Sequence, residues 1–363
     1  MSAIRAIDLE DAEGLLAADR DGLLRAASSA GAQVRSIAAA ADEGALDSLA
    51  SGDRPRSVIW VAGRGTAETA GAILAATLGG SASQPITLVG EAPPWVGPLD
   101  VLIVAGDDPG DPALVSAAAT GVRRGARVVV AAPYEGPLRD STAGRAAVLS
   151  PRVWVPDEFG LCRYLSAGLA ALRTVDPRVS ADLGALADAL DAEALRNSAG
   201  REVFTNPAKT IAARLEGRRV ALAGDCAATL AVARHGSSVL LRVAREAVAA
   251  AALADAAIAA RGSGGPAPAD AIFHDEEIDG PLPDRLRVLV LTLSEEQTVV
   301  AARTAGLDDV YLLAAEDVPD GPGGAAGSEV SAPLGGPISR EQQLAVLAVR
   351  VEMAAVYMRL VRG

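Results

Sequence analysis

The chain has two histidines, His235 and His274, and the second has the neighbours that proton transfer needs. His274 follows the apolar run Ala271-Ile272-Phe273 and precedes Asp275, Glu276 and Glu277. A histidine beside carboxylates at the carboxyl end of a strand can titrate near neutrality and serve as general acid or base. The plainer alternative is a histidine that ends a strand and pairs with an acid. His235 lies inside an Ala-rich helical run and reads as structural. A second chemical feature is the loop Gly63-Arg64-Gly65-Thr66-Ala67-Glu68 after the apolar run 57–62. Glycines there let an anion approach the backbone, a helix N-terminus offers free N–H groups, and the Thr66 hydroxyl adds a donor. That suits a phosphate, with a tight packing turn as the alternative. A dinucleotide is a weaker rival: Gly63-x-Gly65 and Glu91 fit its fingerprint, but Glu68 stands where the third glycine belongs. The third feature is Gly106-Asp107-Asp108-Pro109-Gly110-Asp111. Its acids would repel a phosphate; they suit a hard cation or a plain turn. We assign no metal and expect no cofactor. No GxSxG, Walker A or HExxH motif is present.

These residues need strands and helices to hold them. Residues 8–50 read as helix, with Asp8 as N-cap and Leu15, Leu16, Leu23, Leu24 and Val34 at helical spacing. Short unbroken apolar runs follow at 57–63, 86–90, 101–106 and 126–132, separated by helical stretches. Continuous apolar strands alternating with helices predict an α/β fold with a parallel sheet covered on both faces. Helices are expected at 157–174 and 180–195, and residues 196–202 form the expected domain junction. The pattern then restarts: a helix over 206–217, a strand over 218–224, and a long helical run to about Ala260. A flexible loop is expected at 262–269, strands at 271–274, 286–293 and 309–315, a loop at 316–337, and a long amphipathic closing helix from Arg340. Residues 58–75 and 219–236 share strand, Ala-Gly, tight loop and Ala-rich helix, which predicts two similar doubly wound domains. The expected division is 1–198 and 199–363.

Composition narrows the function. Among 363 residues, half are hydrophobic but only 3% aromatic, so Ala, Val and Leu must build the core. The net charge of −13 and the absence of a basic stripe argue against nucleic acid. Lys209 is the only lysine. Cys162 and Cys226 lie far apart without a CxxC, which suits a reducing cytosol. The opening residues lack the apolar core of a signal peptide. The Ala-rich run 247–260 includes Asp255 and is too short to span a membrane. A cytoplasmic protein without a membrane segment is expected.

Several pieces together resemble the phosphoglucose/phosphomannose isomerase branch of the sugar-isomerase (SIS) fold. Asn206-Pro207-Ala208-Lys209 resembles the segment that opens that family's second domain. His274-Asp275-Glu276-Glu277-Ile278 resembles the family's His-Asn-Glu-Ile motif, and residues 353–363 its C-terminal helix. Gly65-Thr66-Ala67 is similar to its Gly-Gly-Ser-Ala sugar-phosphate loop. The resemblance implies two SIS-like domains with a helical leader and a C-terminal helix. It also implies an aldose–ketose isomerase of hexose 6-phosphates, working as a homodimer. The implied catalytic set is His274, Glu246 and Glu276; the implied sugar-phosphate set is Gly63, Gly65, Thr66, Ala67, Gly106 and Asp107. Two departures stand out. The family's Ser-rich phosphate loop falls on Ala105–Gly110, where acids replace hydroxyls. The family's catalytic Glu falls on Ala249 if Arg242 matches its Arg; Glu246, one turn earlier on a helix, is the expected substitute. Three functions follow: a working isomerase, a catalytically silent member that senses a sugar phosphate or supports a partner enzyme, and a dinucleotide-binding protein.

Overall fold

The computed structural model describes residues 7–50, 54–262, 285–316 and 338–363. The leader is three helices, α1 (Ala12–Ala18), α2 (Leu23–Ala27) and α3 (Ala30–Asp42), not one continuous run. Asp11 rather than Asp8 caps α1, its side chain accepting from the Gly14 N–H. Next come β1 (Ser57–Val61), α4 (Gly65–Leu78), β2 (Ile86–Val89), β3 (Asp100–Ala105) and α5 (Pro112–Arg123). Then β4 (Arg127–Ala131), α6 (Gly136–Thr142), β5 (Ala146–Val148), α7 (Leu161–Val175) and α8 (Leu183–Arg196) follow. The remainder is α9 (Pro207–Leu215), β6 (Val220–Gly224), α10 (Ala227–Ala244), β7 (Ala249–Ala252), α11 (Leu253–Gly262), β8 (Arg287–Leu291), α12 (Gln297–Thr304), β9 (Val310–Leu313) and α13 (Arg340–Arg362).

Among the described residues all strand pairs are parallel. The first sheet has the order β2-β1-β3-β4-β5 and the second β7-β6-β8-β9. Each sheet therefore places its first strand beside its second on one side and its third on the other, the layout that the repeat predicts. The apolar runs are buried along β1, β3 and β6, as strands covered on both faces must be. In the first sheet Trp60 is buried, and its indole N–H donates to the Ala67 carbonyl at 2.9 Å. Helices α4 and α7 make room for it with glycines: a Cβ at Gly71 would lie 2.5 Å from the Trp60 ring, and one at Gly168 2.9 Å. Asp111 caps α5 ahead of Pro112, and Asn206 caps α9 ahead of Pro207, each satisfying an N–H of the first turn.

The described residues form two compact units. The first takes those within 21–195 and 339–349; the second takes those within 1–20, 196–338 and 350–363. The break after residue 195 lies next to the Arg196-to-Glu202 segment, but residues 1–20 group with the second unit and 339–349 with the first, unlike a simple division at 198. In the second unit, Lys209 is buried, and its ammonium donates to the Ala199 and Arg201 carbonyls at 2.8 Å each. It also lies 5.6 Å from the Tyr357 ring centroid. Asn197 accepts from the Ala208 N–H at 2.7 Å, and Asn206 donates to the Ser198 carbonyl at 3.1 Å. The Asn206-Pro207-Ala208-Lys209 segment is thus a structural pin for residues 197–201.

One expected helix breaks. Helix α10 ends at Ala244, Arg245 takes a left-handed φ of 54°, and residues 249–252, four alanines, form β7. Pairing with β6, Ala221 to Ala249 and onward, overrides the helical propensity of alanine.

Candidate functional site

In an open parallel sheet a ligand crevice opens beyond the carboxyl ends of two strands whose connections leave in opposite directions. In the first sheet these strands are β1 and β3, which end side by side with Val61 opposite Val104. Gly63 and Gly106 each come two residues later, so the loops 62–67 and 106–111 meet at this switch point. Gly65 takes a left-handed φ of 67° and begins α4; a Cβ at Gly63 or Gly65 would meet nothing within 4 Å. Thr66 is buried, and its hydroxyl donates to the Asp157 carbonyl at 3.1 Å. Ala67 is buried one residue further into α4 and lends its carbonyl to Trp60. Gly106 donates to the Ala131 carbonyl at 3.3 Å, and a Cβ there would strike Leu114 at 2.5 Å.

The charge at this crevice already has partners inside the chain. One carboxylate oxygen of Asp107 accepts from both the Arg163 guanidinium and the Tyr164 hydroxyl. Arg163 also donates to the Tyr164 oxygen at 2.8 Å and lies 4.6 Å from that ring's centroid. Arg163 is 7% exposed and Tyr164 is fully buried. Gly160, where the chain enters α7, ties the cluster to the first loop: a Cβ there would lie 3.2 Å from the Thr66 hydroxyl and 3.3 Å from the Arg163 guanidinium. Burial pushes the Asp107 carboxyl above its usual range, while the Tyr164 and Arg163 hydrogen bonds work against that rise. Burial also raises the Tyr164 phenol, so it stays a donor.

The other acids of this loop have local work. Asp108 accepts from the Gly110 N–H at 2.8 Å, and Asp111 from the Ala113 N–H at 2.9 Å as the cap of α5. Arg64, whose side chain is 75% exposed, approaches both acids only at 3.9 and 3.7 Å. Among the described residues no group of three or more His, Cys, Asp or Glu side chains could hold a metal ion. None of their helices is long and apolar enough to cross a membrane.

The structure thus brings together Gly63, Gly65, Thr66, Ala67, Gly106 and Asp107, and adds Arg163, Tyr164 and the Asp157 carbonyl. The added side chains sit at the start of α7, a helix buried almost throughout. An arginine in so apolar a helix was the one signal available in the sequence. Glu246 does not join a crevice. It lies in the loop between α10 and β7, not on a helix, and so at the amino edge of the second sheet. There it pairs with Arg362 at 2.6 Å. Ala249, the position matched to a family Glu, begins β7. His274 and Glu276 lie outside the described residues. His235 is buried and bonds to Glu352 at 2.8 Å, consistent with a structural role; burial raises the Glu352 carboxyl.

The second sheet's switch point, between β6 and β8, is packed. A Cβ at Gly224 would lie 2.2 Å from the Leu230 amide nitrogen, so α10 rests directly on the end of β6. Cys226 caps α10 together with Thr229, and Asp225 pairs with Arg303 at 2.6 Å. Arg350, buried, donates to the Ala314 and Ala315 carbonyls that follow β9, at 2.7 and 3.0 Å.

No family model matches the sequence, and no curated protein does either. Solved structures match the fold over almost its whole length. Tagatose-6-phosphate ketose/aldose isomerase from Escherichia coli aligns with a TM-score of 0.60 at 15% identity, covering 100% of this chain and 95% of that one. A candidate phosphosugar isomerase from Clostridium difficile aligns with a TM-score of 0.57 at 11% identity, covering 98% and 93%. The C-terminal domain of glucosamine-fructose-6-phosphate aminotransferase from Francisella tularensis aligns at 0.56 and 9% identity, covering 94% and 96%. At such identities the likeness is one of fold.

Proposed function

We propose that this chain is a sugar-phosphate isomerase-like protein that interconverts an aldose and a ketose phosphate, glucose 6-phosphate or mannose 6-phosphate with fructose 6-phosphate. The observation that carries the reading is the end-to-end match of both sheets to a ketose/aldose isomerase of sugar phosphates. The chemistry is movement of a proton between C1 and C2 through an enediol, which needs one general acid–base group beside the substrate. His274, with Glu276 beside it in sequence, takes that role in this proposal, and the protein works as a homodimer. The reading leans on His274 rather than on Glu246, which lies in the loop before β7 and pairs with Arg362.

One observation favours a second reading, a catalytically silent protein that senses a sugar phosphate or supports a partner enzyme. Asp107 brings its own negative charge to the first crevice and holds Arg163 and Tyr164. The experiment is proton NMR with fructose 6-phosphate, and separately mannose 6-phosphate, in heavy water. Deuterium entering C2 supports the isomerase, and His274→Gln should then slow exchange about 100-fold or more while preserving ligand-induced thermal stabilisation. No exchange by folded wild-type protein overturns the isomerase. The sensor version then requires a rise in Tm with a sugar phosphate, and fails if none produces one.

A further inference from the structure

We propose that Asp107 is a specificity-determining residue that keeps a ligand's phosphate off Arg163 and Tyr164, its carboxylate standing where that phosphate would otherwise meet them. Three facts converge. The crevice is the switch point of an open parallel sheet, where such folds take ligands. Its strongest donors, Arg163 and the Tyr164 hydroxyl, are both buried and both turned onto one oxygen of Asp107. The loop beside them is open, with nothing within 4 Å of a Cβ at Gly63 or Gly65. A buried arginine whose counter-ion comes from the adjacent loop has its charge requirement met within the chain. A dianion arriving there must displace a tethered carboxylate or meet it as a like charge. The Asp107 side chain remains 27% exposed, so the carboxylate stands at the mouth of the cluster rather than deep beneath it. In wild-type protein, a bound sugar phosphate therefore keeps its phosphate away from Arg163. Replacing Asp107 by a neutral residue turns the cluster into a phosphate site.

The test uses inorganic phosphate and the full chain, with chloride at matched ionic strength as control. Asp107→Ser should bind phosphate with at least a tenfold gain in affinity by calorimetry, with a rise in Tm that the control lacks. The double variant D107S/R163Q should lose that gain. Asp107→Asn keeps the side-chain shape and decides the matter if the serine variant is poorly folded. Phosphorus NMR of wild-type protein needs no variant: phosphate lines should stay unbroadened by any Arg163-dependent exchange. The proposal is overturned if a folded D107S or D107N gains no phosphate binding. It is equally overturned if wild type already broadens phosphate lines in a way that Arg163→Gln abolishes. Turnover enters none of these readouts, so a failure here leaves the isomerase reading to its own exchange experiment.

Discussion

At the end of β1 the chain leaves the sheet through Gly63 and Gly65, where an added Cβ would meet open space; at the end of β6 it leaves through Gly224, where one would lie 2.2 Å from backbone. The two loops arise from near-repeats in sequence, Val-Ala-Gly and Leu-Ala-Gly before an Ala-rich helix. The same residue type thus serves opposite ends. Glycine keeps the first loop open and lets the second be filled by its own helix. The charges follow suit. The first switch point gathers Asp107, Arg163 and Tyr164 around one carboxylate oxygen, whereas the second has Asp225 paired with the exposed Arg303 at its margin. A repeated fold therefore need not repeat a loop, and in this chain it is the first sheet whose loop after the first strand has room beside its glycines.

The sharpest way to break the comparison is to add one methyl group to each loop. Gly224→Ala should cost about 3 kcal/mol or more, because the Leu230 amide cannot give way without moving α10. Gly65→Ala should cost only about 1 kcal/mol, the price of a left-handed φ at a position with room. Urea midpoints for the two variants check this, and equal losses would erase the distinction between open and packed loops. The next effect down is Arg163→Gln. It leaves the Asp107 carboxylate with Tyr164 alone and should lower stability by about 2 kcal/mol at neutral pH. Since the lost partner is a cation and burial raises the carboxyl, that loss should shrink as pH falls and Asp107 is protonated. A loss independent of pH would assign Arg163 a packing role only. The smallest effect belongs to Glu246→Gln, which breaks a partly exposed pair with Arg362 and should change stability by less than about 1 kcal/mol. It should leave any deuterium exchange untouched, and a large fall in exchange would restore Glu246 as a base.

Most strands were legible because they are unbroken apolar runs ended by a turn; β1, β2, β4, β6, β8 and β9 fall within those runs, β3 begins one residue earlier at Asp100, and the short β5 lies in none of them. Strand β7 was not, because four alanines carry no strand preference and only their pairing to β6 reveals them. The misplacement of Glu246 follows from the same cause: with β7 read as helix, Glu246 takes a helix face that the turn at Arg245 removes. Half of the first crevice was legible, since Gly63, Gly65, Thr66, Gly106 and Asp107 follow strand ends directly. Arg163 and Tyr164 were not, because they reach Asp107 from 56 and 57 residues further along the chain. Tertiary packing of α7, rather than any local spacing, delivers them.

Lys209 leads to a different kind of consequence. The chain's single lysine is buried and spends its ammonium on two backbone carbonyls. Burial also lowers its basicity, so the amine is held back by access rather than by protonation alone. Acylating reagents therefore find no lysine target on the folded surface. Every lysine adduct marks a moment when the 197–209 segment has opened. The molecule carries its own clock for local unfolding, read by the rate at which one residue gains mass.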